Sequence, residues 1–135
     1  MTKFFLANDY IRQYANHGQH SEQWVRYTLT GEYHKADNVA HNKGTDFAQY
    51  QIKSARATVC KGLDIEGYVA TEIATEFIYA TENGIAYVMT KEEYIEFVKI
   101  FGTVTRESKA NGGKEKIRLK SESVALLEYL AKMVR

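Results

Sequence analysis

The segment Gly44-Thr45-Asp46-Phe47-Ala48-Gln49-Tyr50-Gln51-Ile52-Lys53-Ser54 decides how the chain is to be read. From Tyr50 onward its side chains alternate as in a strand, so Gln51 and Lys53 point to one face and Ile52 to the other. A four-residue turn over Phe47 to Tyr50 sets Asp46 directly across from Gln51, with side chains about 5 Å apart. One acid, one amide and one lysine then meet within a few ångströms. Strand stability does not require a lysine beside that acid on an inward face. A divalent cation next to a reacting phosphate does: the carboxylate binds a hard cation, and the ammonium offsets developing negative charge.

Downstream, a strand is expected from about Tyr50 to Thr58. In Leu63 to Ala74, Ile65, Val69 and Ile73 recur every four residues, which favours a helix, while Gly67 and the β-branched residues weaken it. Thr75–Thr81 and Ile85–Thr90 read as two strands around Glu82-Asn83-Gly84, and Asn-Gly there is a strong hairpin signal. Thr90-Lys-Glu-Glu93 is a capping box that opens a helix running through Phe101. A basic loop with Asn111-Gly-Gly113 follows, then an extended Lys116–Leu119. Ser121 is placed to cap a last helix carrying Val124, Leu127, Leu130 and Val134.

Upstream, Phe4, Ala7, Ile11 and Tyr14 are near helical spacing, predicting a first helix over Thr2–Tyr14 and a loop around Asn16–Gln19. A second helix, Glu22–Thr30, takes Ser21 as its cap and Gly31 as its left-handed stop. Glu22 precedes Val25 by three residues and Leu29 by seven, which places a carboxylate at the end of an apolar stripe. Glu32 to Lys43 is polar and irregular. This order of elements is that of a mixed α/β domain, and 135 residues make one domain's worth of chain.

Composition narrows the possibilities further. Hydrophobic residues are 44% and charged residues 26%, which argues against a disordered or fibrous chain. The net charge of +1 announces no polycation, yet the charges are segregated along the sequence. Lys53 to Lys61 carries +3, Arg106 to Lys120 carries +4, and Asp64 to Glu96 carries −7. One basic face is enough to engage phosphates, and Ser54, Arg56, Lys61, Arg106, Lys109, Lys114, Lys116 and Arg118 are the candidates for it. The single cysteine, Cys60, favours a reducing compartment. No apolar run suits a signal peptide or a membrane span, so a cytoplasmic protein with no membrane partner is expected. His17 and His20 lack further ligands at zinc spacing, and His41-Asn42 lacks the flanking pattern of a ββα-metal nuclease. The tyrosines and Trp24 sit at core periodicities rather than forming a base-stacking platform.

An Asp, a short spacer and then (Asp/Glu/Gln)-x-Lys on a strand, with a Glu on a preceding helix, resembles the PD-(D/E)XK, or restriction-endonuclease-like, superfamily. The matching residues are Glu22, Asp46, Gln51 and Lys53, and the resemblance spans Ser21 to the last helix. Thr45 stands where that family's name has proline, Gln51 replaces the middle acid, and the gap between Asp46 and Gln51 is short. The resemblance implies a mixed β-sheet flanked by helices. It also implies a Mg²⁺ site (Mn²⁺ as a substitute) made by Asp46, Gln51, the Ile52 carbonyl and Glu22, with Glu32 or Asp37 as other possible acids. Lys53 would orient the attacking water and offset charge on the phosphate. The implied activity is hydrolysis of DNA phosphodiesters by a homodimer. The neutral Gln51 keeps open a catalytically silent DNA- or protein-binding module on the same scaffold, and an RNA-cleaving or repair nuclease would use the same residues.

Overall fold

The computed structural model describes residues 1–7, 17–31 and 44–134, with the backbone alone at 17–20 and 111. The chain is mixed α/β: two sheets flanked by four helices among the described residues. The first sheet has the order β1-β5-β4-β2, from Thr2–Phe5 (β1), Tyr50–Ser54 (β2), Glu76–Ala80 (β4) and Ile85–Thr90 (β5). The second has the order β3-β7-β6, from Thr58–Lys61 (β3), Gly102–Arg106 (β6) and Glu115–Leu119 (β7). The helices are His17–Thr30 (α1), Ile65–Thr71 (α2), Lys91–Phe101 (α3) and Val124–Met133 (α4). No helix among the described residues is long and apolar enough to cross a membrane.

Local chemistry accounts for most of these boundaries. The β4–β5 hairpin turns at Gly84, whose φ of +88° suits glycine, and Thr81 N–H closes it on the Ile85 carbonyl at 2.9 Å. The capping box at α3 is complete: Thr90 Oγ1 accepts the Glu93 N–H at 3.2 Å, and Glu93 Oε1 accepts the Thr90 N–H at 3.0 Å. At α2, Asp64 caps the first turn by accepting the Gly67 N–H at 2.9 Å, so the open Leu63–Ala74 stretch is helical over Ile65–Thr71, with Ile73 beyond the helix and exposed. Gly31 stops α1 with φ +78°.

Five expectations are corrected. Thr2–Phe5 is a strand, not the start of a helix, because it pairs antiparallel with β5 from Thr2↔Val88 to Phe5↔Ile85; residues 8–14 of that expected helix lie outside the described residues. Helix α1 begins at His17, so part of the expected loop is helical and Ser21 is a buried position inside the helix. The long strand breaks at Ser54. A turn follows in which Ala57 N–H reaches the Ser54 carbonyl and Arg56 takes φ +67°, so β2 and β3 join different sheets. The cap of α4 is Ser123, whose Oγ accepts the Leu126 N–H at 3.3 Å, while Ser121 Oγ accepts from Arg56 Nε. Gly102–Arg106, expected as loop, is β6, which starts where α3 stops.

The first sheet separates two apolar clusters. On one side Ile52, Ile78, Ala80 and Ala86 pack on Trp24 and Val25 of α1. On the other, Phe77, Tyr79, Tyr87 and Met89 pack on α2, α3, α4 and the second sheet, and the Phe77 and Tyr94 rings stack at 4.1 Å between centroids. Strand β2 is the edge of its sheet and runs parallel to β4, with Gln51 level with Phe77 and Lys53 level with Tyr79.

Candidate functional site

Everything that positions Asp46 is local. Phe47 and Tyr50 form an antiparallel bridge, the predicted four-residue turn. Thr45, buried, donates its hydroxyl to the Ala48 carbonyl at 2.7 Å, and Ala48 takes φ +45° to complete the bend. From α1, the Arg26 guanidinium lies 5.9 Å from the centre of the Phe47 ring, and that ring stacks on Tyr50. Thr45 thus braces the turn through a hydrogen bond.

Asp46 Oδ2 accepts the backbone N–H of Ile52 at 2.9 Å. That N–H therefore points away from β4, toward the free edge of the sheet. The N–H and C=O of one strand residue point the same way, so the Ile52 carbonyl also faces this edge. Gln51 and Lys53 share the opposite side-chain face from the buried Ile52. Lys53 Nζ donates to the Thr58 carbonyl at 3.4 Å, which holds the ammonium over the gap between the two sheets.

Glu22 comes to the same place from α1. The buried face of that helix is Ser21, Trp24, Val25 and half-buried Thr28, whereas Leu29 is 45% exposed. Glu22 consequently lies on the flank of the apolar stripe rather than at its end. Its side chain is exposed, and its carboxyl is only partly desolvated. Burial and then the Asp46 charge push its pKa up to about 7, with Lys53 pulling the other way. Glu22, Asp46 and Lys53 are therefore electrostatic neighbours. Glu32, Asp37 and His41 lie outside the described residues, as do the side chains of His17 and His20.

This arrangement suits a hard divalent cation, which takes oxygen ligands. Asp46 stands at the free edge with the Ile52 carbonyl, and Glu22 is its electrostatic neighbour. Gln51 Oε1 is buried and has no hydrogen-bond partner among the described residues; an oxygen so placed costs about 1–3 kcal/mol unless a cation or water engages it. Among the described residues no three His, Cys, Asp or Glu side chains gather into a metal site on their own. The amide and the carbonyl would have to complete the ligand set.

The sequence reading did not reach one side of the site. Tyr68, on α2, is raised in pKa by burial and then by the Glu72 carboxylate, with Cys60 and Asp46 as further electrostatic neighbours. That the Asp46 charge reaches Tyr68 depends on how α2 packs.

The basic candidates divide into groups. The register sets Lys61 level with Lys116 and Thr105, and Arg118 level with Thr58 and Thr103. Residues two apart share a strand face, so Lys61, Lys116 and Arg118 lie together on the outer face of the second sheet. Thr58, whose carbonyl holds Lys53, begins that face. Arg56 adjoins it: its carbonyl accepts Arg118 Nε at 2.7 Å. Lys61 lies 4.0 Å from Glu107. Arg106 sits on the alternate face, paired with Glu115 at 2.9 Å. Lys109 and Lys114 are exposed around the turn between β6 and β7, and Ser54 is buried at the end of β2.

Comparison with protein-family models, curated proteins and solved structures finds no match to this chain.

Proposed function

We propose that the chain is a divalent-cation-dependent DNA endonuclease on a restriction-endonuclease-like scaffold. The observation that carries the reading is the Asp46 carboxylate held at the free edge of β2 by the Ile52 N–H, supported by a Glu22 carboxyl that burial and then the Asp46 charge make reluctant to ionise and by a buried Gln51 oxygen without a partner among the described residues. Two carboxylates whose charges oppose each other are what a cation relieves.

Asp46, Glu22, Gln51 Oε1 and the Ile52 carbonyl would hold Mg²⁺, or Mn²⁺ in its place. Mg²⁺ supplies Lewis acidity toward the phosphate and toward water. Lys53, braced by the Thr58 carbonyl, places a positive charge where the phosphate becomes more negative and orients the attacking water. Asp46 is fixed by the Ile52 N–H, so its geometry is set before substrate arrives. Lys61, Lys116, Arg118 and Arg56 bind the DNA backbone on the face that starts beside Lys53. One site cuts one strand, so cutting a duplex calls for two copies, and a symmetric homodimer supplies them. The free, buried Cys60 fits the reducing cytoplasm.

The test is nicking of supercoiled plasmid in Mg²⁺ against EDTA, alongside DNA binding measured in both. Cleavage only with Mg²⁺ supports the nuclease. Binding with no cleavage in either buffer overturns it in favour of a silent binding module, the reading that the neutral Gln51 favours.

A further inference from the structure

The second sheet ends on a strand that pairs on one side only among the described residues. β6 meets β7 in unbroken register, from Gly102↔Leu119 to Arg106↔Glu115. Along an antiparallel pair, residues that exchange hydrogen bonds alternate with residues whose backbone groups turn away. Glu107 N–H reaches the Lys114 carbonyl at 2.9 Å, which makes Thr105 and Thr103 the residues bonded to β7. The far side of β7 agrees: Leu119 N–H goes to the Ala57 carbonyl at 2.9 Å, and the Glu115 carbonyl accepts from Gly62 at 2.8 Å. Gly102, Val104 and Arg106 therefore turn their backbone groups to the free edge. The Gly102 N–H is spent on the Val98 carbonyl at the end of α3. The edge thus offers the Gly102 carbonyl and both groups of Val104 and Arg106.

Two other sheet edges are blunted. On β2, Asp46 occupies the Ile52 N–H. On β3, the register shifts between Thr58 and Cys60, and the strand ends in Lys61. β6 has no such shift and no lysine, and Val104 at its centre is 60% exposed. A regular apolar edge of this kind is a template for another strand.

The strand that matches it is its own copy. Thr103-Val104-Thr105 reads the same in both directions, so a second copy running antiparallel about a two-fold axis at Val104 meets its own pattern. In that register the two Val104 residues exchange N–H and C=O, and each Arg106 N–H reaches the Gly102 carbonyl of the other copy. Arg106 falls opposite Gly102, which has no side chain to obstruct it. Thr103 falls opposite Thr105 at the closer spacing where threonine hydroxyls bond each other. Thr105 Oγ1 is buried with no hydrogen-bond partner among the described residues, while Thr103 Oγ1 donates to the Arg118 carbonyl at 3.1 Å and can still accept.

We infer that β6 is a homodimer interface, where two copies join their second sheets into one by antiparallel β6–β6 pairing. The basic face does not oppose this. β7 of one copy lies three strand spacings from β7 of the other, about 14 Å, which exceeds the screening length of about 8 Å at physiological salt. Lys61, Lys116 and Arg118 of both copies then share one continuous face. The pairing supplies an interface for the two-copy nuclease proposed above, and only that use of it rests on the nuclease reading.

The experiment is sedimentation equilibrium of the full chain over a concentration series, in EDTA and without DNA, so that pairing is read apart from cleavage. The unmodified chain is expected to move from 15.5 kDa toward twice that mass as concentration rises. Val104→Lys sets two ammonium groups against each other at the axis and should weaken the dimer about tenfold or more. Its circular dichroism should stay unchanged, because the residue is exposed. Phe5→Lys, at an exposed position on β1, should leave the dimer as it was. Val104→Cys should form a reducible covalent dimer on oxidation, since residues facing each other in a bonded pair have Cα atoms about 5.5 Å apart, within disulfide reach. The unmodified chain, whose Cys60 is buried, should form none. A chain that keeps the single-chain mass throughout, a Val104→Lys dimer as tight as the unmodified one, or a Val104→Cys chain that does not cross-link overturns the inference. So does loss of the dimer in Phe5→Lys alone, which would put the interface at β1. Each of these results leaves the cation site and its nicking test standing.

Discussion

Asp46 Oδ2 accepts the Ile52 N–H at 2.9 Å, and this one bond ties the acid of the site to the strand that carries its amide and its lysine. It separates two roles of Asp46. Asn in its place still accepts the N–H, whereas Ala does not. Asp46→Asn should unfold in urea within about 0.5 kcal/mol of the unmodified protein, and Asp46→Ala should be lower by about 1 kcal/mol. Neither should bind Mn²⁺ in calorimetry. Equal stability of the two variants would mean that the bond does not hold the strand.

Glu22 makes stability depend on pH and on cation. Its pKa stands at about 7 in the folded chain against 4.5 ordinarily. Below the lower value both states are protonated. Between the two, the unfolded chain releases the proton while the folded chain keeps it, so this group's contribution to stability falls as pH rises through that window and stays lost above it. Glu22→Gln should melt level with the unmodified protein below the window and higher above it. Millimolar Mg²⁺ should narrow the gap at high pH by stabilising the unmodified protein alone. Melting curves that run parallel at every pH would refute the raised pKa that burial and the Asp46 charge give Glu22.

The turn that carries Asp46 is strained at Ala48, with φ +45°, and is braced by the Thr45 hydroxyl on the Ala48 carbonyl at 2.7 Å. Ala48→Gly should stabilise by about 1 kcal/mol, since glycine adopts that backbone without the Cβ penalty. Thr45→Ala should destabilise by about 1 kcal/mol, because the turn loses the hydrogen bond that the buried Thr45 hydroxyl gives the Ala48 carbonyl. Thermal unfolding reads both. The same Thr45 substitution should weaken Mn²⁺ binding, as Asp46 is then less firmly placed.

On the second sheet, Lys61, Lys116 and Arg118 share one face, while Arg106 is on the other and paired with Glu115. Lys116→Glu and Arg118→Glu should weaken binding of a DNA duplex in EDTA, each reducing the salt slope by about 0.9 for every phosphate that is no longer neutralised. Arg106→Gln should change little. Fluorescence anisotropy over a salt series checks this, and an Arg106 effect as large as that of Lys116 would contradict the division of the faces.

What the sequence made legible was what short-range rules decide. Asn83-Gly84, the Thr90–Glu93 capping box and the Phe47–Tyr50 turn are each settled within a few residues, and each stands where expected. Strand alternation then put Gln51 and Lys53 on one face. The failures involve distant partners or unusual backbone. Phe4 and Ala7 keep helical spacing, but β1 exists because β5 offers an edge some eighty residues away. The break after Ser54 carries no glycine, proline or asparagine; Arg56 takes the left-handed position instead. Thr103, Val104 and Thr105 had the β-branched character of a strand, hidden among basic residues and joined to α3 without a loop. Glu22 was identified for its stripe, whose far end, Leu29, is exposed, yet its carboxyl senses the Asp46 charge. Tyr68 escaped notice because only the packing of α2 brings it under the influence of the Asp46 charge.

Whether Glu22, Asp46, Gln51 and Lys53 act together on DNA is read from the rate of plasmid nicking in Mg²⁺. Purified Lys53→Ala and Asp46→Ala are compared with the unmodified protein prepared alongside. The prediction is Mg²⁺-dependent nicking by the unmodified chain, lost in both variants, while each still binds duplex DNA in EDTA. Nicking that persists at the unmodified rate in either variant would contradict it.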